Sequence, residues 1–136
     1  MPQPYEWAVL RVVPRVERSE FLNAGVVLYC QQLDFLGARV ALIDERARAI
    51  DPDLDLDTVR RHLEAVVALC AADASAGPNG DRPAGDRFRW LVAPRSTVVQ
   101  PSVVHAGLTD DPARELRRLL QSVVALPGRG AHREGP

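Results

Sequence analysis

The sequence predicts a single α+β domain: an antiparallel sheet of four to five strands with two main helices packed on one face. Three observations predict this class. The first third of the chain contains three β-type segments joined by short connections, as in an antiparallel meander. A long amphipathic segment follows, with apolar residues at three- and four-residue steps. A further β-type segment and a second amphipathic segment complete the order βββ-α-β(β)-α.

Length and composition are those of an ordinary globular domain. A chain of 136 residues can bury a hydrophobic core, and 46% hydrophobic with 26% charged residues is typical of such domains. All 17 basic residues are arginine, which we attribute to a GC-rich genome rather than to guanidinium chemistry. We expect one domain over residues 1–126 and a flexible tail over 127–136, which is rich in Gly and Arg.

The first three strands are predicted at Tyr5–Val13, Ala24–Cys30 and Phe35–Ile43. These segments are rich in β-branched and aromatic residues, and the first stops at Pro14. Both alternating sets of the first strand are apolar, which indicates a central strand or one whose second face a partner covers. With both helices on one face, a homodimer or another protein could cover that second face.

The helices are predicted from periodicity and capping residues. A short helical turn is expected at Asp44–Ile50, followed by a helix that runs to about Ala72. Asp55 or Asp57 can cap the first turn of this helix, where backbone N–H groups lack partners. The last helix is expected to begin near residue 109 or 110, with an aspartate and a proline in its first turn, and to run to about residue 125.

The segment between the two main helices has weaker signals. Asp73–Arg87 is rich in Gly, Pro and Asp, which predicts a flexible surface loop. Phe88–Val92 is predicted as the fourth strand, and Thr97–Val99 as an optional short fifth strand in an extended arm. At strand spacing, Phe88, Trp90 and Trp7 are interpreted as core residues rather than as a stacking platform for bases.

Charge and hydropathy exclude several classes of function. The net charge of −1 provides no general attraction for nucleic acid or an anionic membrane, and only the locally basic segment Arg82–Arg95 favours nucleic acid. The first residues lack the pattern of a secretory signal, and no apolar stretch is long enough to span a bilayer. Cys30 and Cys70 lie among apolar neighbours and are predicted to be buried free thiols, so we expect a cytoplasmic protein.

Metal binding is not predicted. The alternating aspartates from Asp51 to Asp57 resemble a calcium loop, but an EF-hand needs Gly and Glu where this chain has Leu56 and His62. Helix capping explains the aspartates instead. The three histidines share no ligand spacing with each other or with the cysteines, so no metal and no cofactor is expected.

Catalysis is not predicted either. Ser96 and His105 are the one nucleophile–base pair worth considering, but they lie nine residues apart in one extended segment. Gly-x-Ser-x-Gly and Gly-rich phosphate loops are absent from the sequence. We therefore assign no catalytic residue.

Two groups of polar residues are the candidate ligand- or partner-binding site. The hairpin block follows the first strand, and the arm block lies in the extended arm, where Pro94 and Pro101 limit backbone freedom. Such donors suit phosphate or carboxylate, although solvated loop charge is the simpler explanation. The hairpin block consists of Arg15, Glu17, Arg18 and Asn23, and the arm block of Arg95, Ser96, Gln100 and His105. The sequence does not decide whether the two blocks meet.

Three stretches, YEWAVLRVVPRVERSEFLNAGVVLYC, FLGARVAL and FRWLVAPRSTVVQPSVVHAG, together resemble a bacterial family catalogued as domain of unknown function 3037. The resemblance extends from Tyr5 to about Val124 and preserves the order of these blocks. It implies no established activity and carries no catalytic residue. Members of the family are commonly encoded beside HipA-like kinases, which implies a kinase of that type as a partner.

Three hypotheses for the function follow. The first is a non-enzymatic interaction or regulatory module, accessory to a HipA-like kinase. The second is an anion- or nucleotide-binding domain that uses the arginine, serine and asparagine side chains of the two blocks. The third is a weak nucleic-acid binder, against which the balanced charge argues.

Overall fold

Five strands form one antiparallel sheet in the computed structural model, which describes residues 1–124. The strands are β1 Gln3–Val12, β2 Leu22–Cys30, β3 Phe35–Val40, β4 Val99–Pro101 and β5 His105–Thr109. The helices are α1 Asp44–Ile50, α2 Leu56–Ala71, α3 Ala84–Val92 and α4 Pro112–Val123, with 3-10 segments at Val16–Arg18 and Ala74–Asp81. The predicted tail 127–136, its boundary with the domain and the expected end of the last helix lie outside the described residues.

β1 is the central strand, as the two apolar sets of its residues predict. The sheet order is β3-β2-β1-β4, and β5 also pairs with β1. β4 and β5 lie one after the other along the same side of β1, so that Val12 pairs with Val99 and Trp7 with His105. The extended arm predicted after residue 94 is therefore the edge of the sheet.

The predicted α+β class with a four- to five-stranded antiparallel sheet is confirmed. The structure differs in the placement of the helices, because α2 and α4 lie on opposite faces rather than on one. Leu10 and Val12 of β1 pack on the first face, against a core shared with α1, α2 and α3. Val26 and Leu28 of β2 pack on the second face, against α4. Since residues of these strands alternate between faces and both sets are apolar, each face needs a helix.

The predicted strand at Phe88–Val92 is wrong, because these residues form the end of helix α3. Phe88 and Leu91 are buried three positions apart, while Arg89 and Trp90 between them are exposed, which is helical spacing. The interpretation of Trp90 as a core residue is therefore also wrong, since its side chain is 52% exposed. The predicted loop Asp73–Arg87 contains a 3-10 segment and the first turn of α3.

Arg87 fixes α3 against the end of α2. Its guanidinium donates hydrogen bonds to the carbonyl oxygens of Leu69 (2.8 Å) and Cys70 (2.9 Å). These carbonyls belong to the last turn of α2, where the dipole favours a cation, and the Leu69 carbonyl oxygen also accepts from the Ala72 N–H (3.2 Å). The contact of Arg87 with the end of α2 thus holds α3 in place, and no local sequence pattern predicts this contact.

The other predicted elements lie close to their expected positions. β1, β2, β3, α1 and α2 match the predictions with shifts of a few residues at their ends. Asp55 caps α2 by accepting hydrogen bonds from the Thr58 amide (3.2 Å) and hydroxyl (2.7 Å). Asp111 caps α4, whose start is displaced to Pro112 because β5 continues to Thr109. In the described part of the chain, no helix combines the length and hydropathy needed to cross a membrane.

Candidate functional site

The hairpin block is made of surface side chains with local partners. Arg15 forms an ion pair with Asp51 (3.6 Å), and Arg18 forms one with Glu20 (2.7 Å). Glu17 is exposed in the 3-10 segment that follows β1. Asn23, in β2, donates through its side-chain nitrogen to the carbonyl oxygen of Val123 (3.0 Å) and so attaches the end of α4.

The arm block is divided between two places. Arg95 turns back onto α3, where it donates to the carbonyl oxygens of Trp90 and Ala93. Ser96 is exposed, and Gln100 donates to the carbonyl oxygen of Thr97 (2.9 Å) within the arm. His105 begins β5 and pairs with Trp7 of β1, and the centroids of the two rings are 4.7 Å apart.

The backbone places the start of the hairpin block and the start of the arm block at the same end of the sheet. The N–H of Val13 donates to the carbonyl oxygen of Val98 (2.7 Å), so the connection after β1 begins beside the arm. The side chains of Arg15, Arg18 and Arg95, however, each contact residues of their own neighbourhood. Among the described residues, these contacts form two separate groups rather than one set of donors.

A cleft of about 630 Å³ opens beside the first-face helices α2 and α3, and we call it the Trp90 cleft. It lies between α2, the 3-10 segment Ala74–Asp81, α3 and the chain leading into β4. Its floor is apolar, whereas its rim carries polar and aromatic groups. The floor includes Val66, Leu69, Leu91 and Val99, and the rim includes Arg61, His62, Asn79, Trp90 and Arg95.

Trp90 and Arg95 form a stacked pair at this rim. The guanidinium carbon of Arg95 lies 4.5 Å from the centroid of the indole, within the range of a cation–π contact. Of the residues in the arm block, Arg95 is the one that lines the cleft. Trp90 was missed as a site residue because strand spacing places it inside; helical spacing would have placed it outside.

The second candidate surface is the β4–β5 edge, which we define as residues 99–109. None of these residues is charged. Val103 and Leu108 are 74% and 70% exposed, and no other strand among residues 1–124 pairs with the outer side of β4 or β5. The outer side of β5 therefore presents backbone groups without a strand partner together with exposed apolar side chains, whereas in β4 the Val99 carbonyl oxygen accepts a hydrogen bond from the Thr97 hydroxyl (2.8 Å).

Ser102 connects β4 to β5, and sequence reasoning missed it. Its hydroxyl accepts a hydrogen bond from the N–H of Val9 (2.8 Å) and donates one to the carbonyl oxygen of Val103 (2.8 Å). Its own N–H donates to the carbonyl oxygen of Val9 (2.8 Å). The buried hydroxyl thus replaces the backbone acceptor that Val9 would find in a regular ladder.

Tyr5 holds β5 from the second face. A Cβ atom at Gly107 would lie 2.7 Å from the Tyr5 ring, so only glycine fits beneath this ring. The Tyr5 hydroxyl donates to Glu115 of α4. Burial, followed by the hydrogen bond and charge of Glu115, raises the pKa of Tyr5 to about 12. The hydrogen bond from Arg118 is the main cause that lowers the pKa of Glu115.

The two cysteines of the described residues lie in the core. Cys30 and Cys70 are buried free thiols, as predicted, and burial raises the pKa of Cys70 to about 12. A thiol with such a pKa is protonated at neutral pH and is a poor nucleophile. Among residues 1–124, no cluster of three or more His, Cys, Asp or Glu side chains has the arrangement of a metal site.

Comparison with known proteins identifies a family. The family model described as "Protein of unknown function (DUF3037)" matches residues 7–124. Neither the curated proteins nor the solved structures contain a match to this chain. The family match covers the three blocks on which the resemblance in the sequence rests, apart from Tyr5 and Glu6, and it spans every strand except the start of β1, together with all four helices. The chain therefore belongs to the DUF3037 family.

Proposed function

We propose that this protein is a non-enzymatic interaction module whose β4–β5 edge pairs with an extended segment of a partner protein. A HipA-like kinase is the partner that the family resemblance suggests. The observation that carries the proposal is the uncharged, partly exposed edge over residues 99–109. The interaction would take place in the cytoplasm, where thiols such as Cys30 and Cys70 remain reduced.

Free edges are usually protected in proteins. An edge strand offers unpaired N–H and C=O groups, and natural sequences block it with charges, prolines or covering elements. Along the β4–β5 edge, one proline, Pro101, lies in β4, and β5 has neither proline nor charge. Strand addition uses these free backbone groups for affinity and neighbouring side chains for specificity. Val104 and Leu108 are exposed side chains available for that role.

The opposite edge of the sheet, β3, is protected in comparison. β3 packs against α2 on the first face and α4 on the second. Its Arg39 is exposed and places a charge near the end of the strand. Because a charge at this position opposes pairing with a further strand, the β4–β5 edge is the better candidate for docking.

Affinity purification from the native host tests the proposal. We expect the tagged wild-type protein to recover a HipA-like kinase, identified by mass spectrometry. A Leu108→Lys, Val104→Lys double variant should lose at least about tenfold of the recovered kinase, because charges at an edge oppose strand pairing. Val16→Asp is the matched control, since Val16 is also an exposed valine (54%) but lies in the 3-10 segment after β1.

The oligomeric state separates the alternative occupants of the edge. Sedimentation equilibrium of the purified protein would reveal a homodimer that the same double variant dissociates, and such a dimer would replace the kinase as the occupant. Recovery as an isolated monomer, with no partner even after crosslinking, contradicts the proposal. Equal recovery of kinase with the double variant and with Val16→Asp would move the docking surface elsewhere and contradict the role of the edge.

A further inference from the structure

The Trp90 cleft has the size and the division of chemistry that small-molecule sites show. Such sites enclose roughly 300–1,000 Å³, with apolar walls and a few placed polar groups. The Trp90 cleft encloses about 630 Å³, with Val66, Leu69 and Leu91 among its apolar lining residues. The cleft shares one residue with the β4–β5 edge, the buried Val99, whereas the exposed side chains of that edge, Val104 and Leu108, do not line the cleft, so it is available for a second type of ligand.

Trp90 provides a flat aromatic surface at the cleft. Helix α3 buries Phe88 completely and Leu91 almost completely, yet it leaves the largest of its side chains, the Trp90 indole, 52% exposed. An exposed indole at the mouth of an apolar cleft is suited to stack against a flat ring, since any aromatic ring offers a π-face.

Arg95 is held in position for an anion beside this indole. Its Nε donates to the carbonyl oxygen of Ala93 (3.3 Å), and a terminal nitrogen donates to that of Trp90. A guanidinium has five N–H groups, so these two bonds leave three available for a ligand. A cation whose geometry is fixed before binding loses less conformational freedom when the ligand arrives.

The remaining charges of the cleft favour a small anion. Arg61 on α2 faces the cleft from the opposite wall, and its guanidinium donates to the Thr58 hydroxyl (3.1 Å). Glu64 is the acidic residue among the lining residues, against the two cations Arg61 and Arg95. The cleft therefore carries a net positive charge beside an apolar floor.

We propose that the Trp90 cleft binds a small flat aromatic ring that bears a phosphate or a carboxylate. The ring stacks on the face of the Trp90 indole that the Arg95 guanidinium does not cover, and the anionic group binds Arg95 and Arg61. This ligand class is independent of the partner proposed for the β4–β5 edge, so either proposal can fail alone.

Nuclear magnetic resonance of the two indole N–H groups tests the proposal, because the protein contains its own control. The probes are the adenosine, guanosine, cytidine and uridine 5′-monophosphates and indole-3-acetate, each raised to millimolar concentration. We expect at least one probe to shift the Trp90 indole resonance and to leave that of Trp7, on the second face, unchanged. Binding of nucleotides alone would identify a phosphate ligand, and binding of indole-3-acetate alone a carboxylate.

Isothermal titration calorimetry of variants establishes which groups bind, since it does not depend on the indole resonance that Trp90→Ala removes. Trp90→Ala should weaken binding of the active probe by about tenfold or more, the effect of losing one stacked ring. Arg95→Gln should weaken it similarly, whereas Arg117→Gln, on the exposed side of α4, should leave it unchanged. Circular dichroism of each variant confirms that the helices remain folded.

Several outcomes overturn the proposal. One is the absence of any Trp90 shift with all five probes. Another is a shift of Trp7 equal to that of Trp90. Binding of inorganic phosphate alone as tightly as of the active nucleotide would remove the role of the ring, and unchanged binding in Trp90→Ala or Arg95→Gln would remove the role of the stacked pair.

Discussion

The two faces of the sheet are covered to different extents. The first face packs against α1, α2 and α3, whereas the second packs against α4. Both arrangements bury the centre of the sheet, since Leu10 on the first face is 2% exposed and Leu28 on the second is 0% exposed. One helix is thus sufficient to cover the central strands. The additional helices of the first face enclose the Trp90 cleft, and the β4–β5 edge stays open beside them.

The largest expected effect is in the core of the first face. Phe88→Ala removes a fully buried ring (0% exposed) from the most helix-rich layer and should lower the free energy of unfolding by about 3–5 kcal/mol. Leu116→Ala in α4 should cost less, about 2–3 kcal/mol, because it removes a smaller side chain. Denaturant unfolding measures both. A larger loss in Leu116→Ala would mean that the second-face core closes less well around a truncated side chain than the first-face core does.

Trp90→Ala is the matched control for Phe88→Ala. Both substitutions remove an aromatic side chain from α3, but Trp90 is 52% exposed. We expect a cost of about 1 kcal/mol or less for Trp90→Ala, as for other exposed positions. Equal destabilisation by the two variants would contradict the helical assignment of α3.

Helix α3 also shows where prediction from the sequence ends. The strands β1 to β3 and the helix α2 are predictable because each has several residues of consistent period and a recognisable end. Phe88–Val92 has only five residues, all compatible with a strand, so local propensity favours the wrong element. The helix is favoured by the hydrogen bonds of Arg87 to the carbonyl oxygens at the end of α2. These partners lie 17 and 18 positions away in the sequence.

The residues of the candidate site show the same contrast between local sequence signals and distant contacts. Arg95 was identified because an arginine framed by prolines is conspicuous in the sequence, whereas Trp90 depended on the element in which it lies. Ser102 has no local signal, because its partner Val9 is 93 residues away and the pairing of β1 with the arm must be known first. Side-chain chemistry was therefore predictable where it is local, and not where the topology brings distant strands together.

The next largest loss of stability is expected at the contact by which Arg87 anchors α3 to the end of α2. Arg87→Met keeps the aliphatic part of the side chain but removes its hydrogen bonds to the carbonyl oxygens of Leu69, Cys70 and Arg82. We expect a loss of about 1.5–3 kcal/mol, typical of hydrogen bonds from a charged donor. Thermal or denaturant unfolding measures it, and Arg82→Met, at an exposed neighbouring position, is the control. No difference between the two variants would mean that packing alone holds α3.

The β4–β5 edge should depend on Ser102. Ser102→Ala leaves the N–H of Val9 without its acceptor in the buried centre of the sheet, and we expect a cost of about 1–3 kcal/mol. Ser96→Ala, at an exposed position in the same arm, should stay within about 0.5 kcal/mol of the wild type. Hydrogen exchange should also accelerate at Val9 and in β5. Unchanged exchange there would mean that the edge is fixed by β1 pairing alone.

The smallest effect concerns the second face, where Tyr5 connects β1 and β5 to α4. Tyr5→Phe removes the hydrogen bond to Glu115 but leaves that carboxylate bonded to Arg118, so we expect a loss of only about 1 kcal/mol at neutral pH. The loss should depend on pH. Because the pKa of Tyr5 is raised from 10.0 to about 12 in the folded protein, the wild type holds this proton more tightly when folded.

This stabilisation is complete below pH 10, where Tyr5 is protonated in both states, and it declines as the pH rises toward about 12, because the unfolded chain ionises first. The raised pKa of Cys70 produces a decline in a similar range, but it does so equally in both proteins. The difference between the wild type and Tyr5→Phe in denaturant unfolding therefore isolates Tyr5, and it should shrink above pH 10. A difference that stays constant with pH would mean that Tyr5 titrates normally, and that α4 holds the second face by apolar packing without the Tyr5–Glu115 bond.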